Sequence, residues 1–377
     1  MKKKILYVLA GLVIALSAAF ALSPEYLQKA LIHQKANIDD YKIFANRKVE
    51  TGNYIPWKIS PSLNSYKIEG KEREDLEALD PVAFLVIQNG EIRYEEYWDG
   101  YSDSSLSNSF SMAKSIVSLL TGIAIKENKI KNVDQRASDF IPSYRNETNR
   151  SLSIRNLLTM SSGLNWDESY GSPCSITTKA YYGNDINPLI ENLKVIQTPG
   201  KEYKYLSGNT QVLAMVLEKA TGMKVGKYAS EKLWKKIGAK NTALWSTDRK
   251  GGMEKAYCCF NSNARDFARL GQLVLNKGKW YGKQVVPAHY IKEAISPATY
   301  LTRKGKPVDF YGYQFWILNH RGMEIPYYRG ILGQYIFAIP EKNAVVVRLG
   351  HKRSKEKIGV HPKDVFQYID LAMKIID

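Results

Sequence analysis

The sequence predicts an α+β fold. An antiparallel sheet is assembled from both ends of the chain and flanked by helices as an α/β/α sandwich, with a mostly helical second subdomain between. Three observations carry this. Residues 84–98 are two β-rich runs around Asn89-Gly90, a type I′ hairpin signal. Residues 335–340 and 344–349 are a second pair of apolar runs, joined through Glu341-Lys342-Asn343. Between these pairs, from 112 to about 275, the apolar residues mostly recur at three- and four-residue spacing, the helical period.

Taken in order, the chain opens with Met1-Lys2-Lys3-Lys4, a positive n-region, followed by an almost wholly apolar stretch over 5–22. Ala19-Phe20-Ala21 fits a small-x-small cleavage site. Residues 1–22 are expected to be an export signal, cleaved or retained as an N-terminal membrane anchor, at the lower length limit for a spanning helix. That reading places the protein in a bacterial periplasm or on the outer face of the inner membrane. No cysteine follows the apolar run, which speaks against a lipoprotein. Residues 23–80 are mixed and polar, with a short helix expected over 24–37 and Tyr54-Ile55-Pro56-Trp57 as an apolar anchor; they read as a lead-in to a main domain over 81–377.

Within that domain the hairpin is followed by Ser109-Phe110-Ser111-Met112-Ala113-Lys114 and a helix that is apolar almost all round, the pattern of a buried central helix. Ser153 reads as the cap of a helix that ends before Ser161-Ser162-Gly163. Further helices are expected over 210–221, closed by Gly222, and over 264–276. Strands return at 311–317 and in the second pair of runs, and a last helix over 363–376 closes the chain.

Ser111 and Lys114 lie three apart at the first turn of the central helix, so their side chains share a face. A serine hydroxyl needs a base within hydrogen-bond reach to become a nucleophile, and a desolvated lysine can supply it. The helix N-terminus adds free N–H groups for a developing oxyanion. Alone, the motif also fits a capped helix start with a solvated lysine. Ser-x-x-Lys recurs at Ser354 and Lys357, in a charged run with no apolar helix after it, where it reads as chance.

Two further segments supply the groups such chemistry needs. Pro199-Gly200 makes a turn that presents Tyr205 on a loop, and a Lys–Tyr pair can take a proton from serine and pass it to a leaving group. Ser207, two residues on, is suited to hydrogen-bond the lysine or the substrate. Gly330 begins an apolar strand and leaves room for substrate beside the backbone, which makes the Ile331 N–H a second oxyanion donor beside that of Ser111. A tyrosine packed with an exposed hydroxyl and a bulge glycine are the plain alternatives.

Composition narrows the classes. A chain of 377 residues with 44% hydrophobic content has ample core. Its net charge of +17 is scattered rather than clustered, which argues against nucleic acid and for general attraction to anionic surfaces. The five histidines are dispersed, and no metal or nucleotide motif occurs, so no cofactor and no metal are expected. Of the three cysteines at least one stays free; a Cys174–Cys258 bridge, a Cys174–Cys259 bridge and three unpaired thiols all remain open.

Ser-x-x-Lys, then Tyr-x-Ser about 90 residues on, then a glycine-rich strand start, is an order that resembles the serine β-lactamase superfamily: class C β-lactamases, D,D-peptidases and family VIII esterases. The likeness spans about 81–377 and rests also on Leu157-Leu158-Thr159-Met160-Ser161-Ser162-Gly163-Leu164-Asn165-Trp166-Asp167-Glu168, on Ala264-Arg265-Asp266-Phe267-Ala268-Arg269-Leu270-Gly271 and on Arg329-Gly330-Ile331-Leu332-Gly333-Gln334. It is nearest to the 6-aminohexanoate-dimer hydrolase type. The resemblance implies a β-lactamase/transpeptidase-like fold, Ser111 as nucleophile, Lys114 as its partner, Tyr205 as proton shuttle, the Ile331 N–H as oxyanion donor and Tyr170 as a substrate contact.

Two departures matter. Ser207 stands where β-lactamases have the asparagine of Tyr-x-Asn, and Tyr328-Arg329-Gly330 replaces Lys-Thr-Gly. The lysine of that triplet helps bind a β-lactam carboxylate, so its absence argues against β-lactamase activity, with Arg329 as a partial substitute. The expectation is a serine hydrolase that cleaves an amide or ester of a small molecule through an acyl-enzyme. A D,D-peptidase or β-lactamase is the alternative, and a silent envelope protein that binds peptides is a third.

Overall fold

The computed structural model describes residues 2–377. Helix α1 (Lys2–Leu22) stands clear of the rest, with none of its residues buried. Helix α2 (Glu25–His33) is shorter than the sequence suggests, because Gln34 takes a left-handed conformation (φ 55°) and donates its N–H back to Ala30 O. The chain then forms β1 (Ala45–Val49), β2 (Lys58–Ile59), β3 (Pro81–Gln88), β4 (Glu91–Tyr97) and β5 (Ser107–Asn108) before the central helix α3 (Met112–Lys126). Helices α4 (Ile176–Tyr182) and α5 (Ser207–Thr221) follow. Next come β6 (Ala243–Thr247), β7 (Phe260–Ser262) and α6 (Ala264–Leu275). The chain ends with β8 (Trp316–His320), β9 (Met323–Gly330), β10 (Gln334–Ile339), β11 (Ala344–Gly350) and α7 (Lys363–Ile376).

The main sheet runs β8-β9-β10-β11-β3-β4-β2, so the two ends of the chain do meet, with β11 antiparallel beside β3. Its one parallel pair is β2 with β4, at the edge. The hairpin turn has the expected geometry, with Asn89 at φ 53° and Gly90 at φ 79°.

Both faces of the sheet are covered, which explains why β3 is apolar and buried from Pro81 to Ile87 rather than alternating. Leu85 and Ile87 join the core shared with α3, α5 and α6, whereas Phe84 and Val86 join a second core under α7 with Val365, Tyr368 and Ile369.

Two local expectations are corrected. The strand expected over 311–317 begins only at Trp316, because Gln314 turns the chain at φ 62° and is held by Thr210 Oγ1, which donates to its side chain at 2.9 Å. A second sheet, β1-β6-β7-β5, was not anticipated. It draws Ala45–Val49 out of the expected lead-in and pairs it with Ala243–Thr247, some 200 residues away in sequence. Strands of two to five residues carry too little periodicity to be read alone.

Candidate active site

The turn before α3 sets the site. Phe110 is buried in a left-handed conformation (φ 43°), which is strained for a bulky side chain. It is held there by Asn108 Oδ1, which accepts its N–H at 2.9 Å, while Ser109 N donates to Phe260 O at 2.9 Å. The turn places Ser111 at the N-cap position of α3 without using its hydroxyl as a cap. Ser111 Oγ is thereby free for other partners.

Its partner is Lys114, one turn on and 1% exposed. Lys114 Nζ donates to Ser111 Oγ at 3.0 Å, to Ser207 Oγ at 3.1 Å and to Tyr257 O at 2.9 Å. An ammonium has three N–H donors, and here each has its oxygen. That satisfies a cation which burial would otherwise make costly.

Ser207 is the first residue of α5 and is anchored in turn. Its N–H and its hydroxyl both donate to the Glu168 carboxylate, at 2.6 Å each. A carboxylate at a helix N-terminus is favoured by the helix dipole and by the unpaired N–H groups there. Glu168 follows Trp166, which is buried with its indole N–H donated to Thr177 Oγ1 at 3.0 Å.

Tyr205 stands beside this group rather than inside it. Its ring centroid lies 5.1 Å from Lys114 Nζ and packs on Trp316 at 5.6 Å. Its hydroxyl makes no hydrogen bond to Ser111 or Lys114. Arg329 lies over Trp316: its guanidinium covers the ring and donates to Val360 O at 3.1 Å. It does not line the cavity at Ser111, so it is not placed as the stand-in for the missing lysine of Lys-Thr-Gly.

Gly330 does not begin a strand, as the sequence suggested: a turn over Ile331–Gly333 separates it from β10, and it ends β9 against the turn that carries Ser111. A Cβ built there would sit 2.3 Å from Ser109 O, so only glycine allows the strand this close. The next residue, Ile331, lines the same cavity as Ser111, and neither of their backbone N–H groups has a partner in the protein. Tyr170 is at the rim, exposed, with its hydroxyl donated to Glu168.

These groups open on a cavity of about 580 Å³, a size typical of small-molecule sites. Its walls include Ala30 and Leu31 of α2, Tyr181 and Tyr182 of α4, and Leu332. Cys258 also lines it, and is joined to its neighbour Cys259 by a disulfide, while Cys174 is free and exposed. This corrects the open pairings of Cys174. Cys174 lies in the exposed loop before α4, whereas Cys258 and Cys259 are both buried, and the bridge forms between adjacent residues.

Of the residues singled out in the sequence, the structure brings Ser111, Lys114 and Ser207 into direct contact. It sets Ile331 and Tyr170 on the same cavity, Gly330 behind it and Tyr205 at its side. The sequence reading missed Glu168 as a partner of Ser207, the Tyr257 carbonyl and the α2 wall. Glu168 was visible as the end of the Trp166-Asp167-Glu168 block. A carbonyl acceptor leaves no signal in residue types.

The family model described as Beta-lactamase matches residues 69–364. The 6-aminohexanoate-dimer hydrolase of Paenarthrobacter ureafaciens is 27% identical over 284 residues, covering 71% of each chain. Among solved structures, a Bacillus anthracis protein provisionally named a 6-aminohexanoate-dimer hydrolase superposes with a TM-score of 0.78 at 21% identity, over 93% of this chain and 96% of that one. A family VIII carboxylesterase gives 0.61 at 15% identity, over 82% and 99%. The fold is the β-lactamase/transpeptidase-like one.

Proposed function

Since the chain belongs to the Beta-lactamase family, we propose that it is a serine hydrolase that cleaves an amide or ester bond through an acyl-enzyme on Ser111. The observation that carries this is the buried Lys114 ammonium, whose donors converge on Ser111 Oγ, Ser207 Oγ and Tyr257 O at the floor of an open cavity. A solvated lysine at a capped helix start would need none of these partners.

Ser111 Oγ attacks the substrate carbonyl carbon. As the amine, Lys114 keeps two N–H donors for Ser207 Oγ and Tyr257 O and turns its lone pair to Ser111 Oγ. It takes the serine proton and, with Tyr205, returns it to the leaving amine or alkoxide as the C–N or C–O bond breaks. The unpaired N–H groups of Ser111 and Ile331 receive the oxyanion. Water then attacks the acyl carbon by the same relay, releasing the acid and restoring Ser111. Tyr170 contacts the substrate from the rim. Residues 81–377 form the catalytic domain in this reading, with the preceding segment adding a wall to the cavity. The apolar N-terminal helix serves as export signal or anchor, which puts the site on the outer side of the membrane.

Covalent labelling tests the assignment. A fluorophosphonate is expected to add its phosphonyl group once per chain, on Ser111, and labelling is expected to vanish in Ser111→Ala. An adduct on another residue, or full ester turnover in that variant, removes the proposal.

A further inference from the structure

The wall formed by α2 ties the cavity to the N-terminal helix. Helix α1 is 21 residues long, apolar and wholly exposed. At 1.5 Å per residue it spans about 31 Å, the thickness of a bilayer core. Lys2, Lys3 and Lys4 at its start favour the cytoplasmic side, which sends its other end outward. That end is joined to the rest of the protein without a flexible linker. Ser23 Oγ donates to Phe20 O at 2.7 Å, and Gln28 Nε2 of α2 donates to Ala21 O at 3.2 Å and Ser23 O at 2.8 Å.

Helix α2 is itself fixed to the wall it helps build. His33 stacks on Tyr182 with centroids 6.0 Å apart, and Asn184 Nδ2 donates to Glu25 at 2.8 Å. Ala30 and Leu31 face the cavity, and Leu31 with its neighbour Ile32 also presents large apolar surface to solvent, 52% and 63% exposed. Leu31 is nine residues beyond Leu22, and because Ser23 and Pro24 between the two helices are not helical, the path is at most about 20 Å. The apolar wall above Ser111 therefore lies within about 20 Å of the point where the chain leaves the hydrocarbon, near the headgroup layer.

We infer that α1 is retained as an anchor and that the substrate is a membrane-held amphiphile, an ester or amide of a long acyl chain. The chain lies along the Ala30–Leu31 wall while its carbonyl reaches Ser111. This rests on the serine hydrolase reading. The bilayer supplies the substrate, and an apolar wall that would be a liability in free solution becomes continuous with the lipid surface. Hydrolysis breaks the acyl C–O or C–N bond, leaves the acyl group on Ser111 Oγ, returns the serine proton to the departing headgroup, and ends with water releasing the fatty acid.

The test uses the full-length chain in vesicles of phosphatidylcholine and phosphatidylglycerol, with p-nitrophenyl dodecanoate and p-nitrophenyl butyrate as probes. The expected dodecanoate-to-butyrate ratio of kcat/KM is above about ten. Leu31→Asp is expected to lower that ratio at least tenfold, and Leu31→Ser, milder for the α2 packing, to lower it in the same direction. The intact mass of membrane-extracted protein is expected to include residues 1–22. Hydrolysis of butyrate alone, a ratio indifferent to both Leu31 variants, or a mature chain cut after Ala21 would overturn the inference while leaving the hydrolase reading intact. Failure to hydrolyse either ester removes both.

Discussion

Glu168 accepts hydrogen bonds from both the N–H and the hydroxyl of Ser207, at 2.6 Å each, and Ser207 in turn accepts from Lys114 at 3.1 Å. The carboxylate thus fixes the rotamer of the residue that orients the lysine, without touching the lysine itself. Hydrogen bonds to charged groups contribute about 1.5–3 kcal/mol each, so losing one corresponds to about 10–150-fold in rate. Glu168→Ala is expected to lower kcat in that range with KM changed less than about threefold, and to displace the pH–rate profile. Glu168→Gln, which keeps one acceptor, is expected to restore part of the loss. A profile unmoved in both variants would reduce Glu168 to a structural role.

The three proposed catalytic groups should behave as one unit. Lys114→Ala and Tyr205→Phe are each expected to cost about 10²–10⁴-fold, and the double variant little more than the worse single one. Ser354→Ala is the control, because Ser354 lies in a loop where its hydroxyl only accepts the Glu356 N–H; its activity should match the parent. Steady-state hydrolysis of a p-nitrophenyl ester reads all four.

Arg329 is committed to Trp316 and Val360 O and does not line the cavity. No cation from the Tyr328-Arg329-Gly330 triplet is therefore offered to a β-lactam carboxylate. Esters and small linear amides are expected to be turned over faster than cephalosporins. An equal or higher kcat/KM on a cephalosporin would favour the β-lactamase or D,D-peptidase alternative.

Cys258 and Cys259 form their bridge beside the Tyr257 carbonyl that holds Lys114. Thiol titration of the unfolded, unreduced protein is expected to find one free thiol, that of Cys174. After reduction it should find three. Peptide mapping that joins Cys174 to either of the others would contradict the structure.

Lys255 is fully buried, and the only hydrogen-bond partners of its Nζ are the carbonyls of Ala180 and Gly183, at 3.1 and 3.3 Å. Desolvation lowers its pKa to about 7 from the usual 10.5. Between these values the unfolded chain holds a proton that the folded chain has released, so this residue's contribution to stability rises with pH across that window. Below about 7 both states are protonated, and the burial penalty is present in full. Relative to Lys255→Met, the wild-type melting temperature is expected to rise between pH 7 and pH 9.5. A constant difference would mean that the lysine stays charged.

The sequence by itself determined two hairpins of the main sheet, the central helix and the order of the site motifs, because each is written in local terms. The Asn89-Gly90 turn needs two positive φ values that this pair tolerates. Helix α3 is apolar round its circumference because it is buried on every side, and α7 was legible from end to end by its period. The spacing of Ser111 and Lys114 follows from the helical repeat alone. Only the tertiary structure decided what meets them. The Tyr257 carbonyl and the Glu168 carboxylate reach Lys114 and Ser207 from 143 and 39 residues away in sequence. Residues 30–31 become a cavity wall only once α2 has packed on α4. Tyr205, placed by motif order at the centre of the site, stands at its side, because its ring is packed between Lys114 and Trp316. Such contacts are set by how separate elements pack, and packing between distant segments leaves no period in the chain to be read.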